Sequence, residues 1–328
     1  MAIDFKVMTW NVENLFPVGS EFGPTTKTVY NQKQAHLAQR ITDINPDVIA
    51  LQEIGSPETF QDLQDGLAGA YPHAELSPKP DARGIRVGFL SKLPLSAVVS
   101  ISAFPNGALT LTPKAVGGSA GDPENTPLAA MGRGALKVTA TLSNGTTVNL
   151  LTTHLKSKLI SYPPGPNGKQ RFSPRNEDER ARFTGLALIK RTAEAMALRI
   201  EANRLTVGDT PPCILLGDLN DDPEALTNQI LLGPPGGQIS PSPKPNKSND
   251  ARLHNLANHI PEQRRFSRIS EGRKELIDNI LVSHELVFRR REVDSFVEDI
   301  EPISANPEPR RNAVIPDHAP VFVRFEML

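Results

Sequence analysis

Six well-separated segments of this 328-residue chain carry an acidic, amide or imidazole side chain at or near one end of an apolar run. These side chains are Asn11, Glu53, His154, Asp218 with Asn220, Asp278, and Asp317 with His318. Carboxylate and amide oxygens suit a hard divalent cation such as Mg2+, and imidazoles can contact an anion. In layered α/β folds, strand ends form a shared rim where ligands bind. The pattern therefore favours metal-assisted chemistry on an anionic substrate.

The segment "LLGDLNDDPEAL" (215–226) concentrates this signal, because an apolar run stops and four polar side chains follow at once. Unpaired carboxylates this close repel one another and are costly to desolvate, so a positive partner is expected beside them. We expect Asp221 and Asp222 to cap a helix that begins at Pro223, and Asp218 to face the chemistry.

Each candidate also has a purely structural interpretation. Asn11 could cap a turn, Glu53 could be a solvated strand end, and a single histidine such as His154 is more often half-buried than a ligand. Asp218 and Asn220 could cap the following helix, Asp278 could point outward into water, and Asp317-His318 could be a surface dipeptide. The joint pattern is much less expected by chance than any one member of it.

Apolar periodicity divides the chain into alternating strands and helices. Strands are predicted at 5–10, 47–54, 85–92, 95–104, 134–142, 147–155, 213–219, 276–283 and 319–327. Helices are predicted at 27–44, 56–67, 177–204 and 223–232. The "SNGT" stretch between two of the strands predicts a hairpin turn. Long Pro/Gly/Ser-rich loops at 104–127, 161–175 and 233–250 do not separate two hydrophobic sets, so one domain spanning 1–328 is expected.

Composition sets limits on the class of protein. The net charge is −1, so no overall charge draws the chain to DNA or to an acidic membrane. The sequence shows neither a signal peptide nor a run of about 20 apolar residues, which favours a cytoplasmic protein with no membrane span. Cys213 is the one cysteine and is predicted to be a packed thiol in a buried strand. No obligate protein partner is evident.

Six motifs together resemble the endonuclease/exonuclease/phosphatase superfamily, which includes deoxyribonuclease I. They are "MTWNVENL", "DVIALQE", "TTHLKSK", "LLGDLND", "ELIDNILVS" and "PDHAPV", in this order across most of the chain. The resemblance implies a four-layer αββα sandwich, with two mixed sheets packed face to face and helices outside. It also implies hydrolysis of a phosphate ester that depends on Mg2+, with Mn2+ as a possible substitute. The sparse oxygen set fits Mg2+ better than Zn2+, which would call for more His or Cys.

The resemblance also implies a role for each motif residue. Glu53 would be the principal metal ligand, with Asn11 nearby and Asp317 in the same neighbourhood. Asp218 would orient or deprotonate the attacking water, and Asn220 would hold that water or a phosphate oxygen. His154 and His318 would contact the phosphate, and Asp278 would orient His318. The implied reaction is in-line attack of an activated water on a nucleic-acid phosphodiester.

Two positions depart from the family pattern. Pro316 stands where a serine usually precedes the Asp-His pair, and Gly84 lies near the place of an apurinic-endonuclease tyrosine. Arg83 or Arg86 is expected either to take over a phosphate contact or to lie on a solvated strand edge. With Asn11 and Lys156, these arginines complete the predicted substrate-binding set.

The substrate is open at this stage. Basic residues at 156–158, 264–268, 272–274 and 288–291 could contact nucleic-acid phosphates if some of them line the site. The loop 156–180 is a candidate for substrate selection. Inositol phosphates, phospholipid head groups and other small phosphate esters are the alternatives.

Two further readings come from other classes of protein. The "GGSAG" stretch at 117–121 matches the nucleophile-elbow pattern of serine hydrolases, but it lacks the strand before and the helix after that the motif requires. A non-catalytic binding module is the other, although all the expected chemical groups are present.

Overall fold

The computed structural model describes residues 2–105, 130–158, 160, 162–163, 171, 173–207, 210–233, 251–304 and 308–327. The strands in it are β1 (Ile3–Leu15), β2 (Val48–Ile54), β3 (His73–Leu76), β4 (Arg86–Ser91), β5 (Leu95–Ala103), β6 (Ala130–Thr141), β7 (Thr147–His154), β8 (Cys213–Asp218), β9 (Leu253–Asn255), β10 (Arg268–Ser270), β11 (Arg273–Glu275), β12 (Asp278–Ser283), β13 (Arg290–Ser295) and β14 (Val321–Met327). The helices are α1 (Lys27–Ile44), α2 (Pro57–Gly66), α3 (Glu177–Thr206), α4 (Leu226–Leu232) and α5 (His284–Arg289).

Two six-stranded mixed sheets carry the fold. The first has the order β13-β14-β1-β2-β4-β3 and the second has the order β5-β6-β7-β8-β12-β9. Each sheet has one parallel pair at its centre, β1 with β2 and β7 with β8. The carboxyl ends of parallel neighbours meet at the same edge of a sheet, so each sheet offers one rim where loops can build a site.

Helices cover the outer faces of both sheets, and a shared apolar core lies between the sheets. The inner core joins residues of both sheets, such as Phe5 and Val48 with Leu150 and Ile214. The helices α1 and α2 pack Leu37 and other residues on the first sheet, and α3 packs Leu198 on the second. The four-layer αββα architecture is therefore confirmed.

Local sequence signals explain where the larger helices begin and end. The side chain of Thr26 accepts from the amide of Val29 at the start of α1, and Asn45 takes a left-handed conformation at its end. Ser56 caps α2, with Pro57 at its first position, as predicted. Asn176 caps α3 in the same way, and three acidic residues follow in its first turn.

One predicted helix start is wrong. The helix α4 begins at Leu226 rather than at Pro223, and its N-cap is Ala225, whose methyl group cannot accept a hydrogen bond. Asp221 does not cap it, because its carboxylate pairs with Arg191 at 3.1 Å and accepts from the hydroxyl of Thr227. Asp222 pairs instead with Lys158, as described below.

The remaining predicted strands and helices agree with the structure to within a few residues, and the hairpin between β6 and β7 turns where "SNGT" predicts. Cys213 is a buried thiol, as predicted, and burial raises its pKa to about 12. The "GGSAG" stretch lies outside the described residues, as does part of the loop 156–180. Across the described helices, none is long and apolar enough to cross a bilayer.

Candidate active site

Eight of the predicted side chains meet at one rim, where the two sheets end side by side. We call this set the rim cluster, and it comprises Asn11, Glu53, His154, Asp218, Asn220, Asp278, Asp317 and His318. Strand register brings three of them together, because His154 lies opposite Asp218 on one side and Asp278 lies opposite Asp218 on the other. The first sheet contributes Asn11 and Glu53 from the ends of its central parallel pair.

Asp218 is the hub of the rim cluster. Its Oδ2 accepts from Nδ2 of Asn11 at 2.9 Å and lies 3.2 Å from Nε2 of His154. Its Oδ1 accepts from the amide of Asn220 at 2.9 Å. Burial favours the neutral acid, but the charges of His154 and His318 outweigh it and hold the pKa of Asp218 well below its usual range. Asp218 is consequently an ionised and firmly oriented acceptor.

Glu53 is the more open carboxylate. It lies near the end of the apolar strand β2 in a left-handed conformation, with φ of 65°, and its side chain keeps 14% exposure. Its Oε2 accepts from the amide of Asn14 at 2.9 Å, and its Oε1 lies 3.4 Å from Nδ2 of Asn11. Burial alone would raise its pKa, but the charges of His154, Arg83 and Arg133 lower that pKa to about 2. An ionised, partly exposed oxygen pair suits a hard cation.

His318 and Asp278 form a short, buried pair. Nδ1 of His318 lies 2.6 Å from Oδ2 of Asp278, and the His318 carbonyl accepts from the indole of Trp10 at 2.8 Å. Burial would lower the pKa of His318, but the charges of Asp278 and Asp317 overcome it and raise the pKa to about 10. The ring is therefore an imidazolium at neutral pH, with Nε2 4.0 Å from Asp218.

The structure adds a buried ion pair that was not predicted from the sequence. Arg310 donates to both carboxylate oxygens of Glu13, at 2.6 and 2.8 Å, and Lys33 donates to the Glu13 carbonyl. The same carboxylate accepts from the amide of Asp317 at 3.0 Å. This pair ties the Asp317-His318 segment to the end of β1. The only sequence signal was the position of Glu13, two residues after Asn11.

The predicted substrate-binding cations lie at different distances from the rim cluster. Arg83 is close enough for its charge to lower the pKa of Glu53, and its guanidinium lies 5.6 Å from the ring centre of Phe22. Arg86 donates to the carbonyl of Gly84, and the ammonium of Lys156 donates to Ser157. Neither of these two hydrogen bonds connects Arg86 or Lys156 to a carboxylate of the rim cluster.

Arg133 lies beside the rim cluster, although it was not among the predicted residues. It is 9% exposed and donates to the carbonyl of Leu155 at 3.1 Å, next to His154. It also pairs with Asp81 at 3.2 Å. Arg133 lies within β6, so only the register of the second sheet reveals that it reaches the site.

Two donor sets could hold a divalent ion. Ligand atoms of Asp218, Asp278 and His318 lie within 4.8 Å of one another. In that set, the 2.6 Å contact with Asp278 already occupies Nδ1 of His318, so only Nε2 of the ring could ligate an ion. The carboxylate oxygens of Glu53 and Asp317 are donors of the kind that Mg2+ prefers, whereas Asn11 turns its Nδ2 toward Glu53 and its Oδ1 accepts from the amide of Glu13 at 3.0 Å. The chemistry of the residues therefore fits a hard divalent cation at the Glu53 side.

Comparison with solved structures supports the fold. The truncated Caenorhabditis elegans TDP2 structure has a TM-score of 0.58 at 16% identity and covers 99% of this chain and 98% of that chain. The human Nocturnin catalytic domain with bound sulfate anion has a TM-score of 0.57 at 16% identity, with coverage of 100% and 97%. An endonuclease/exonuclease/phosphatase from Beutenbergia cavernae DSM 12333 has a TM-score of 0.59 at 17% identity, with coverage of 99% and 72%.

Sequence comparison provides the family assignment. No curated protein matches the chain. The sequence model of the Endonuclease/Exonuclease/phosphatase family matches residues 8–304, which include every rim-cluster residue except Asp317 and His318. The chain belongs to the Endonuclease/Exonuclease/phosphatase family.

Proposed function

We propose that this protein is a phosphodiesterase that depends on Mg2+ and hydrolyses phosphodiester bonds of nucleic acid by in-line attack of water. The observation that carries the proposal is the rim itself, where an imidazolium, an oriented carboxylate and an open carboxylate converge from both sheets. A phosphodiester is anionic and repels hydroxide, so its hydrolysis needs fixed positive charge and a positioned nucleophile.

Glu53, with Asn11 and Asp317, is the proposed holder of the metal. When bound there, Mg2+ supplies charge neutralisation at the phosphate and stabilises the charge that develops in the transition state. Glu53 suits this role because its pKa of about 2 leaves it ionised at neutral pH, so no proton competes with the ion. Mn2+ is expected to substitute, since it accepts the same oxygen ligands.

Asp218 is the proposed anchor of the attacking water. Its pKa is held low by His154 and His318, which makes it a weak base. We therefore expect Asp218 to orient the water rather than deprotonate it, because Asn11, His154 and the amide of Asn220 fix the carboxylate in one orientation. Asn220 donates from its side chain to the carbonyl of Leu155 at 3.0 Å, and its backbone amide donates to Asp218, so it is the proposed second contact of that water or of a phosphate oxygen.

His318 and His154 are the proposed contacts of the phosphate oxygens. Asp278 keeps His318 protonated, so its Nε2–H can donate a charge-assisted hydrogen bond to an anionic oxygen. Arg83 is the proposed outer cation, since its charge reaches Glu53.

Hydrolysis of bis-p-nitrophenyl phosphate tests the proposal without assuming a natural substrate. We expect turnover with Mg2+ or Mn2+ and its loss on addition of EDTA. A parallel panel of plasmid DNA, RNA, abasic duplex, inositol phosphates and sphingomyelin identifies the substrate class. Failure to cleave bis-p-nitrophenyl phosphate with either metal would refute phosphodiesterase activity, whereas cleavage of only inositol phosphates or sphingomyelin within the panel would refute the choice of nucleic acid.

A further inference from the structure

A short hairpin stands directly beside His318. Its strands are β10 and β11, and its two-residue turn, Glu271-Gly272, has φ values of 49° and 76°. Positive φ at both positions is typical of the type I′ turn that suits tight hairpins. The backbone of Arg268 bridges to that of His318, and the amide of Ala319 donates to Ser267 at 2.7 Å. The hairpin is thus fixed to the rim cluster by backbone hydrogen bonds.

The outer edge of β10 is anchored at a second place, nearer the turn. The amide of Glu271 donates to the carbonyl of Ile303, and the amide of Ile303 donates to Ile269, both at 2.9 Å. The Oγ of Ser267 accepts from the amide of Asp278 at 3.2 Å. A short strand pair held at two places along one edge presents its side chains in a defined direction, which suits a binding surface better than a mobile loop does.

Strand register divides the basic side chains of the hairpin between two faces. Arg268 lies opposite Glu275 and Ser270 lies opposite Arg273, so these four residues share one face. That face points to the site, because Nε of Arg268 lies 3.7 Å from Asp317. Lys274 lies on the other face, where its ammonium lies 4.2 Å from the ring centre of Phe266.

The other basic segments are occupied or distant. Arg264 pairs with Asp294 at 2.9 Å, and Arg265 donates to the carbonyl of Ile260. Arg291 pairs with Glu326 at the end of the first sheet farthest from the rim cluster, near the pairing of Ile3 with Met327.

Lys158 is shared between carboxylates, since its ammonium lies 3.3 Å from Asp222 and 3.2 Å from Glu275. Arg273, by contrast, is exposed and forms no ion pair within the described part of the chain.

We propose that the face of the hairpin carrying Arg268 and Arg273 binds a phosphate of a nucleic-acid strand next to the phosphate being cleaved. Arg268 lies next to the rim cluster. Arg273 pairs with Ser270, which is two residues beyond Arg268 on β10, so Arg273 lies about 7 Å farther along the hairpin from the rim cluster. A substrate that reaches both must extend beyond the scissile ester, which favours a strand over a small phosphate ester. This inference rests on the proposed function and narrows its substrate class.

The two faces provide a matched pair of variants. Arg273→Gln and Lys274→Gln each remove one exposed positive charge from the same strand, but only the first removes it from the face that points to the site. Binding of a fluorescently labelled oligonucleotide is measured by anisotropy in EDTA, so that no turnover interferes. Its Kd is determined at about 50 and about 200 mM salt, where one phosphate contact changes the affinity by about threefold.

We expect Arg273→Gln to raise the Kd, and the ratio of variant to wild-type Kd to fall by about threefold between the two salt concentrations. We expect Lys274→Gln to keep the wild-type Kd and salt dependence. Equal Kd values for the two variants at both salt concentrations would overturn the inference, as would an oligonucleotide that the wild type does not bind. Wild-type hydrolysis of bis-p-nitrophenyl phosphate separates this failure from failure of the proposed phosphodiesterase activity.

Discussion

Asp278→Asn tests the electrostatic core of the site. The substitution keeps the shape of the side chain and removes the charge that does most to raise the pKa of His318 against burial. A rise from 6.5 to about 10 corresponds to about 5 kcal/mol in favour of the imidazolium, at about 1.4 kcal/mol per unit. In the variant the pKa of His318 should fall back toward its usual value or below it, because the ring stays buried.

The direction in which pH changes the turnover of the variant depends on which protonation state of His318 is active. The proposed active form is the imidazolium, which predominates below its pKa and is lost as pH rises. With a pKa near 10, the wild-type ring is almost fully protonated at pH 8, whereas a ring with a pKa near 6.5 is about 3% protonated there. Turnover of the variant should therefore be about 30-fold lower at pH 8, and the deficit should shrink below about twofold near pH 5.5.

Two measurements check this prediction. The first is kcat for bis-p-nitrophenyl phosphate across this pH range at saturating Mg2+, with Asp294→Asn as the control that removes a carboxylate paired with Arg264 outside the rim cluster. The second is the 15N NMR titration of His318 in EDTA, which reports protonation without turnover. A neutral wild-type His318 at pH 7.5, or a pH profile unchanged in Asp278→Asn, would refute the reasoning.

Variants at three further positions test other parts of the site. Asp218→Ala should lower kcat by about 10²- to 10⁴-fold while the melting temperature shows a folded protein; near-normal turnover would contradict its role. Glu53→Gln should weaken Mg2+ binding in calorimetric titration, and an unchanged affinity would count against it as a ligand. The same variant, measured in EDTA, should lose at most about 3 kcal/mol of unfolding free energy at pH 7. The pKa of Glu53 is about 2 in the folded protein against 4.5 in the unfolded chain, so ionised Glu53 stabilises the fold fully above pH 4.5 and loses this effect as the pH falls through 2. Urea unfolding should therefore show the free-energy difference between wild type and variant about halved at pH 3. Arg310→Met should cost about 1–3 kcal/mol in urea unfolding, because it removes the hydrogen bonds to Glu13, whose pKa burial already raises to about 7, so that the carboxyl becomes protonated. Adding Glu13→Gln should recover part of the loss, and an additive double variant would show that the two residues do not act as a pair.

Most of the larger elements could be predicted from local patterns. The start of α2 shows why, since Ser56, Pro57 and an early acid lie together in the sequence and each satisfies a requirement of a helix N-terminus. The convergence of Glu53, Asp218 and His318 could be predicted because strand ends in this kind of fold share a rim, and the family resemblance supplied their order.

Contacts between distant segments explain what could not be predicted. The helix α4 begins at Leu226, and Asp221 and Asp222 pair with Arg191 and Lys158 rather than cap it; no local pattern reveals those cations. The hairpin of β10 and β11 has strands of three residues, which is too short for alternation to stand out. Glu13 and Arg310 form their pair across nearly the whole sequence, so only the folded chain brings them together.

The position of β14 between β13 and β1 has a consequence for synthesis of the protein. Ile3 pairs with Met327, so β1 is synthesised more than 300 residues before the strand β14 that pairs with it. Pairings this distant close slowly and late in folding. His318 lies three residues before β14, so the proposed activity should appear only after β14 has been synthesised and both sheets have formed.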